Sequence, residues 1–98
     1  MKTIWKFQIP VPTADGSAAI ETPLDWSPLS LQWQDGHVCV WAIVNPASLK
    51  VRRALLVLGT GWDVPQDRTL VHLGTYQEHD GAYVWHVFDC PMRAEVIS

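Results

Sequence analysis

Residues 29–44 read LSLQWQDGHVCVWAIV, two runs of alternating side chains on either side of Asp35-Gly36. Alternation with a period of two marks a half-buried strand, and an Asp-Gly pair between two such runs supplies the positive-φ positions of a type I′ hairpin turn. Centred there, the turn pairs Gln34 with His37, Trp33 with Val38, Leu31 with Val40 and Leu29 with Ala42. The last three pairs form one wholly apolar face, which assigns Trp33 to the core. The opposite face carries Ser30, Gln32 and Gln34 beside His37, Cys39 and Trp41. It is polar on one strand and mixed on its neighbour, so it is half wet or meets a partner.

Asp80-Gly81 permits the same treatment. A turn there pairs His79 with Ala82, Tyr76 with Trp85, Thr75 with His86, Leu73 with Phe88 and His72 with Asp89. One face then holds Val71, Leu73, Thr75, Val84, His86 and Phe88, and the other His72, Gly74, Tyr76, Trp85, Val87 and Asp89. Large apolar groups fall on both faces, whereas an antiparallel sheet commonly leaves one face wet. A sandwich, a closed barrel or a covering subunit would resolve this.

The remaining segments are also short, rich in β-branched or aromatic residues, and fenced by Pro, Gly, Asp or Asn. Six strands are expected: Thr3 to Ile9, Leu29 to Gln34, His37 to Val44, Arg53 to Leu58, Thr69 to Gln77 and Ala82 to Cys90. Helix content should be small, with Pro46 to Arg53 the best helical candidate at about two turns. The stretch from Pro10 to Pro28 holds four of the seven prolines and reads as a long surface connection, with room for a short strand at Ala18 to Glu21. The expectation is a single all-β domain over residues 1–98, an antiparallel sandwich or barrel whose core includes Leu31, Trp33, Val38, Val40, Leu73 and Phe88.

Composition narrows the function classes. Apolar residues make up 48% of the chain and charged residues only 17%, against roughly 25% charged in an average domain, which leaves apolar surface for a partner. A net charge of −3 provides no basic stripe, so nucleic acid is not an expected partner. No apolar run approaches the roughly 20 residues of a membrane span, and the start lacks a signal-peptide core. A cytoplasmic setting without membrane attachment is therefore expected. Cys39 and Cys90 are far apart and read as buried free thiols. His37, His72, His79 and His86 do not gather with carboxylates at metal-ligand spacing, so neither a metal nor a cofactor is expected.

Candidate binding residues come from two signals. In GTGWDVP, residues 59–65, Gly59 and Gly61 permit unusual backbone angles and their amides could cradle an anion. The expected site combines Gly59, Thr60 and Gly61 with the Trp62 ring as a stacking plane and Arg68 as the cation. A plain turn is the alternative, since no phosphate-loop motif is present. The second signal is six tryptophans, too many for one small core. Trp5 packs beside Phe7 and Ile9. Trp41, or Trp85 with Tyr76, is expected to form an interface, in the first instance that of a homodimer. No catalytic triad is legible, and His72 opposite Asp89 reads as a cross-strand polar pair or an oriented base.

The opening MKTIWKF, the central VWAIVNP, the LGTG after a basic strand and the closing LGTY and GAYVWHVFD together resemble a family of small phage and prophage proteins of unknown function. The similarity covers most of the chain apart from Pro10 to Pro28. It implies action in a host bacterial cytoplasm, where small accessory proteins inhibit host defence. The expected function is non-enzymatic: sequestering a nucleotide immune signal or blocking a host defence protein. A virion structural or assembly component is the alternative, followed by a nucleotide-cleaving enzyme using His72 or His86.

Overall fold

The structure, a computed structural model, describes residues 1–91 and 95–97. Its strands are β1 (Thr3–Ile9), β2 (Ser17–Pro23), β3 (Trp26–Gln34), β4 (His37–Val44), β5 (Lys50–Gly59), β6 (Val71–Glu78), β7 (Tyr83–Asp89) and β8 (Glu95–Val96). They form two antiparallel sheets. The first has the order β1-β4-β3, and the second has the order β2-β5-β7-β6 with β8 pairing β5. The sheets face each other across one core of Ile9, Ile20, Leu31, Val38, Val40, Leu55, Val57, Tyr76 and Val87. The sandwich expected from the alternation is thus present, and no α-helix occurs among the described residues, with a 3-10 turn at His79–Gly81. Among the described residues no helix is long and apolar enough to cross a membrane.

The first hairpin has the register that Asp35-Gly36 imposes. Both turn residues have positive φ, 52° and 82°, and Gln34 pairs with His37, Trp33 with Val38 and Leu31 with Val40. Further from the turn the register shifts between Pro28 and Ser30, so Pro28, not Leu29, lies opposite Ala42. Proline has no N–H for the ladder and is at home beside a bulge on an edge strand. Leu29 is left exposed. Trp33 keeps its inward side but is 49% exposed, because it sits at an open end of the sandwich. Trp5 likewise remains 37% exposed on edge strand β1.

The Pro-rich connection contains more structure than expected. It holds all of β2 and the start of β3, and it buries Ile20, Thr22 and Pro23. Pro23 closes β2 and Pro28 lies in β3, both edge strands, where a missing N–H can face away from the ladder. The Pro46–Arg53 segment makes a turn, Ser48 N–H to Asn45 O at 3.1 Å, and then extends into β5.

In the second hairpin Asp80 and Gly81 have the left-handed angles of a type I′ turn, but His79 is left-handed as well. The ladder therefore ends at Glu78 and Tyr83, outside a four-residue loop closed by Ala82 N–H to His79 O at 3.0 Å. Tyr76 pairs with Trp85 and Thr75 with His86 as expected. Beyond them a bulge between His72 and Gly74 moves His72 opposite Phe88 and Val71 opposite Asp89. One extra residue flips the side chains beyond it. Leu73 packs on the central core, while His72 passes to the outer face against the Phe88 ring, 5.4 Å between centroids. The expected His72–Asp89 and Leu73–Phe88 pairs do not form.

Phe88 also departs from the expected core. It packs with Leu56, Leu58, Cys90, Ala54 and Leu70 in a second cluster on the outer face of the larger sheet. This cluster explains why Leu55, Leu56, Val57 and Leu58 are all buried: β5 is covered on both sides, as an uninterrupted apolar run requires. Both cysteines are buried and neither forms a disulfide.

Candidate functional site

The GTG stretch begins where β5 runs out. Trp62 N–H donates to Gly59 O at 3.0 Å, closing a four-residue turn whose third residue, Gly61, has φ 93°, as a type II turn requires of that position. The Trp62 ring folds back over Gly59. A β-carbon at Gly59 would lie 2.8 Å from Trp62 Nε1, so the ring can occupy this place only over a glycine. Its edge meets Trp85 at 5.5 Å and 90°, a favourable T-shaped contact. Trp62 is nevertheless 45% exposed.

Trp62 separates two hollows. One, about 300 Å³, is lined by Gly59, Thr60, Trp62 and the 82–85 segment. The other, about 200 Å³, lies among Gly59, Thr60, Gly61, Trp62, Val64, His86 and neighbours. Arg68 lines neither hollow, and its Nε is 3.3 Å from Asp67 Oδ1. Thr60 N–H donates to Val84 O at 3.1 Å, which engages one of the amides expected to face a ligand. The corner therefore brings Gly59, Thr60, Gly61 and Trp62 together and leaves Arg68 apart. It offers ring surface, hydroxyl and imidazole.

A polar chain that sequence reasoning missed secures the corner from the outer face. Thr60 Oγ1 lies 3.4 Å from Val84 O and 2.9 Å from His86 Nε2. Thr75 Oγ1 lies 3.0 Å from His86 Nδ1 and 3.2 Å from His72 Nε2. With the Thr60 hydroxyl donating to the Val84 carbonyl, His86 Nε2–H donates to Thr60, Thr75 donates to His86 Nδ1, and His72 donates to Thr75. Both nitrogens of His86 are thus occupied by threonine hydroxyls. No cluster of three or more metal-ligating side chains occurs among the described residues. The only advance signal of the chain was Thr75 opposite His86; the His72 contact depended on the bulge.

Asp89, expected beside His72, lies inside the sandwich with Arg53. Arg53 Nη1 is 3.3 Å from Asp89 Oδ2, and both side chains are nearly inaccessible. Arg53 also donates to Thr22 Oγ1 at 3.1 Å and to the Pro23 and Leu24 carbonyls at 3.4 and 3.2 Å. Its guanidinium lies 4.4 Å from the Trp26 ring centroid. Burial pushes Asp89 above the usual carboxylate range, partly countered by Arg53, and burial lowers Arg53. The group ties β2 to β5 and β7.

The expected interface residues have separate fates. Tyr76 is buried in the core, stacked on Trp33 at 5.9 Å and 23°. Trp85 is partly buried between Trp62 and Tyr83. Trp41 lies on the outer face of the smaller sheet, with Lys6 Nζ 5.8 Å from its ring centroid.

No curated protein and no solved structure matches the chain. Residues 1–96, with the Pro-rich segment included, match the family model described as Domain of unknown function (DUF7352), and the chain belongs to that family.

Proposed function

We propose that this is a non-enzymatic binding domain that counters host antiviral defence in the bacterial cytoplasm by holding the base of a nucleotide signal against Trp62. The observation that carries the reading is an exposed indole, fixed edge-on by Trp85 and flanked by two hollows. A ring held in place loses little freedom when a base stacks on it, and such stacking is worth about 1–3 kcal/mol per base. The phage setting rests on the sequence resemblance alone. A second reading, in which the same corner covers a host defence protein, is favoured by the separation of Arg68 from the hollows and by Tyr83, which is 55% exposed.

The test is a thermal-shift screen against cyclic mono- and dinucleotides, since a ligand of the folded state raises the melting temperature. A binding nucleotide should lose about tenfold to a hundredfold affinity in Trp62→Ala. Arg68→Ala should change little, because Arg68 lines neither hollow. No shift with any nucleotide, combined with loss of counter-defence activity in Trp62→Ala, would transfer the function to the protein-blocking reading.

A further inference from the structure

At the end of the sandwich where Trp33 stands exposed, a cavity of about 250 Å³ opens between the two sheets. Its floor is the core itself, with Ile9, Val38, Val57 and Val87 all nearly inaccessible. Its mouth is formed by Trp33, Tyr76, His37, Glu78 and the Pro10–Pro12 segment. Trp33 and Tyr76 stack on each other at this opening and so present a preformed aromatic wall. The slot therefore has an apolar interior and a polar rim.

The charge of the rim is one-sided. Among the described residues Glu78 is the only acidic one lining the slot, and no Lys or Arg lines it. Among the described residues Glu78 forms no ion pair. At the rim His37 is already engaged by a neighbour, with Gln8 Nε2 3.1 Å from His37 Nδ1. The Tyr76 phenol is pushed above its ordinary range by burial and by the Glu78 charge, so it stays protonated and able to hydrogen-bond.

We propose that this slot is a binding site for a small arylalkylammonium compound, one aromatic ring on a short chain ending in a protonated amine. The ring enters between the sheets, and the ammonium stays at the rim beside Glu78 and the aromatic wall. Each part answers a feature of the site. The volume lies just below the roughly 300–1,000 Å³ of ordinary ligand pockets, which limits the occupant to a single ring. A cation beside a carboxylate and over aromatic faces is stabilised twice, by charge-assisted hydrogen bonding and by the ring quadrupole. An anion of the same shape meets an uncompensated carboxylate. The site is distinct from the Trp62 corner, so either can fail without the other.

The experiment compares three ligands of one shape, phenethylammonium, 2-phenylethanol and phenylacetate, by NMR titration of the labelled protein. Phenethylammonium should shift the amides of Gly36, Val38 and Val57 and bind at least about tenfold more tightly than phenylacetate. Glu78→Gln should bring the ammonium down to the level of the alcohol while leaving the melting temperature unchanged, because Glu78 makes no ion pair that the fold would lose. Equal binding of all three ligands, no effect of Glu78→Gln, shifts confined to other residues, or no binding at all would each overturn the proposal.

Discussion

Arg53 illustrates how much one side chain can decide in a domain this small. It stands in β5 with the inward parity of Leu55 and Val57, a position that periodicity assigns to an apolar residue. It is tolerated there because each part of it is matched: a carboxylate, a hydroxyl, two carbonyls and an indole face. A buried ion pair adds little net stability against an apolar substitute, but removing one partner strands the other. Arg53→Ala should therefore cost about 3–5 kcal/mol, and adding Asp89→Ala should restore part of that loss. The sign with pH follows from the Asp89 pKa, which burial raises and Arg53 partly holds down, so that removing Arg53 raises it further. A carboxylate whose folded pKa lies above its unfolded one disfavours the fold as pH rises through that window, so the Arg53→Ala deficit should be smaller at about pH 5 than at neutrality. Urea titrations at the two pH values check this, and a single variant no worse than the double would count against the pairing. None of this was legible in advance. Asp89 was assigned to His72 by extrapolating a register that a bulge interrupts.

At the level of elements, legibility tracked the turns. Asp35-Gly36 fixed the register beside it because only a few residue types accept two left-handed positions, and Asp80-Gly81 did the same from Gly74 to Glu78. The two bulges, beside Pro28 in β3 and Gly74 in β6, lay beyond the stretch that each turn fixes. The one in β6 has a tertiary cause: a β-carbon at Gly74 would lie 2.7 Å from Leu31 Cβ, so this is where the edges of the two sheets close on each other. Strand β2 was obscured by proline density, which marks edge strands as well as loops. The turn leading into β2 is a compact device of its own. Asp15 Oδ1 accepts from Thr13 Oγ1 at 2.5 Å and from Ser17 N–H at 3.0 Å. These bonds, the Thr13 hydroxyl foremost, lower the Asp15 pKa from 3.8 to about 2. A lowered carboxylate pKa contributes stability that is complete above the ordinary value and is lost as pH falls through the folded one, here between about 3.8 and about 2. An NMR titration of the Asp15 carboxyl should find its midpoint near the lower figure, and Thr13→Val should move it up. An unchanged midpoint in the variant would remove the hydroxyl as the cause.

For the whole molecule, the expectation of a partner subunit began from apolar side chains on both faces of the hairpins. In the larger sheet the chain itself packs against both, while Val71 and Tyr83 of that hairpin stay exposed. The inner face of the larger sheet meets the smaller sheet, and the outer face packs Leu56, Leu58 and Phe88 with Leu70 from the segment that follows the GTG turn. Half of the candidate site was legible because Trp62 and its glycines are contiguous. The slot was not, since Pro10, Trp33 and Glu78 come from three distant segments that only the packed sandwich brings together. The same packing sets the folding behaviour. The chain crosses between sheets three times, from β1 to β2, β2 to β3 and β4 to β5, so neither sheet can be completed while the other is missing. Most contacts join residues distant in sequence, and their loop-closure cost must be met before burial compensates for it. Unfolding should consequently be a single all-or-none transition, with a urea slope of about 1–3 kcal/mol per molar. The tryptophans allow a direct check, because Trp5, Trp26, Trp33 and Trp41 report on the smaller sheet and Trp85 on the larger. With fluorinated tryptophan, the native ¹⁹F resonances from both sheets should disappear at one urea midpoint and agree with far-UV circular dichroism. If the smaller-sheet resonances vanished first while Trp85 persisted, the larger sheet would be an independent folding unit and the three crossings would not couple the two.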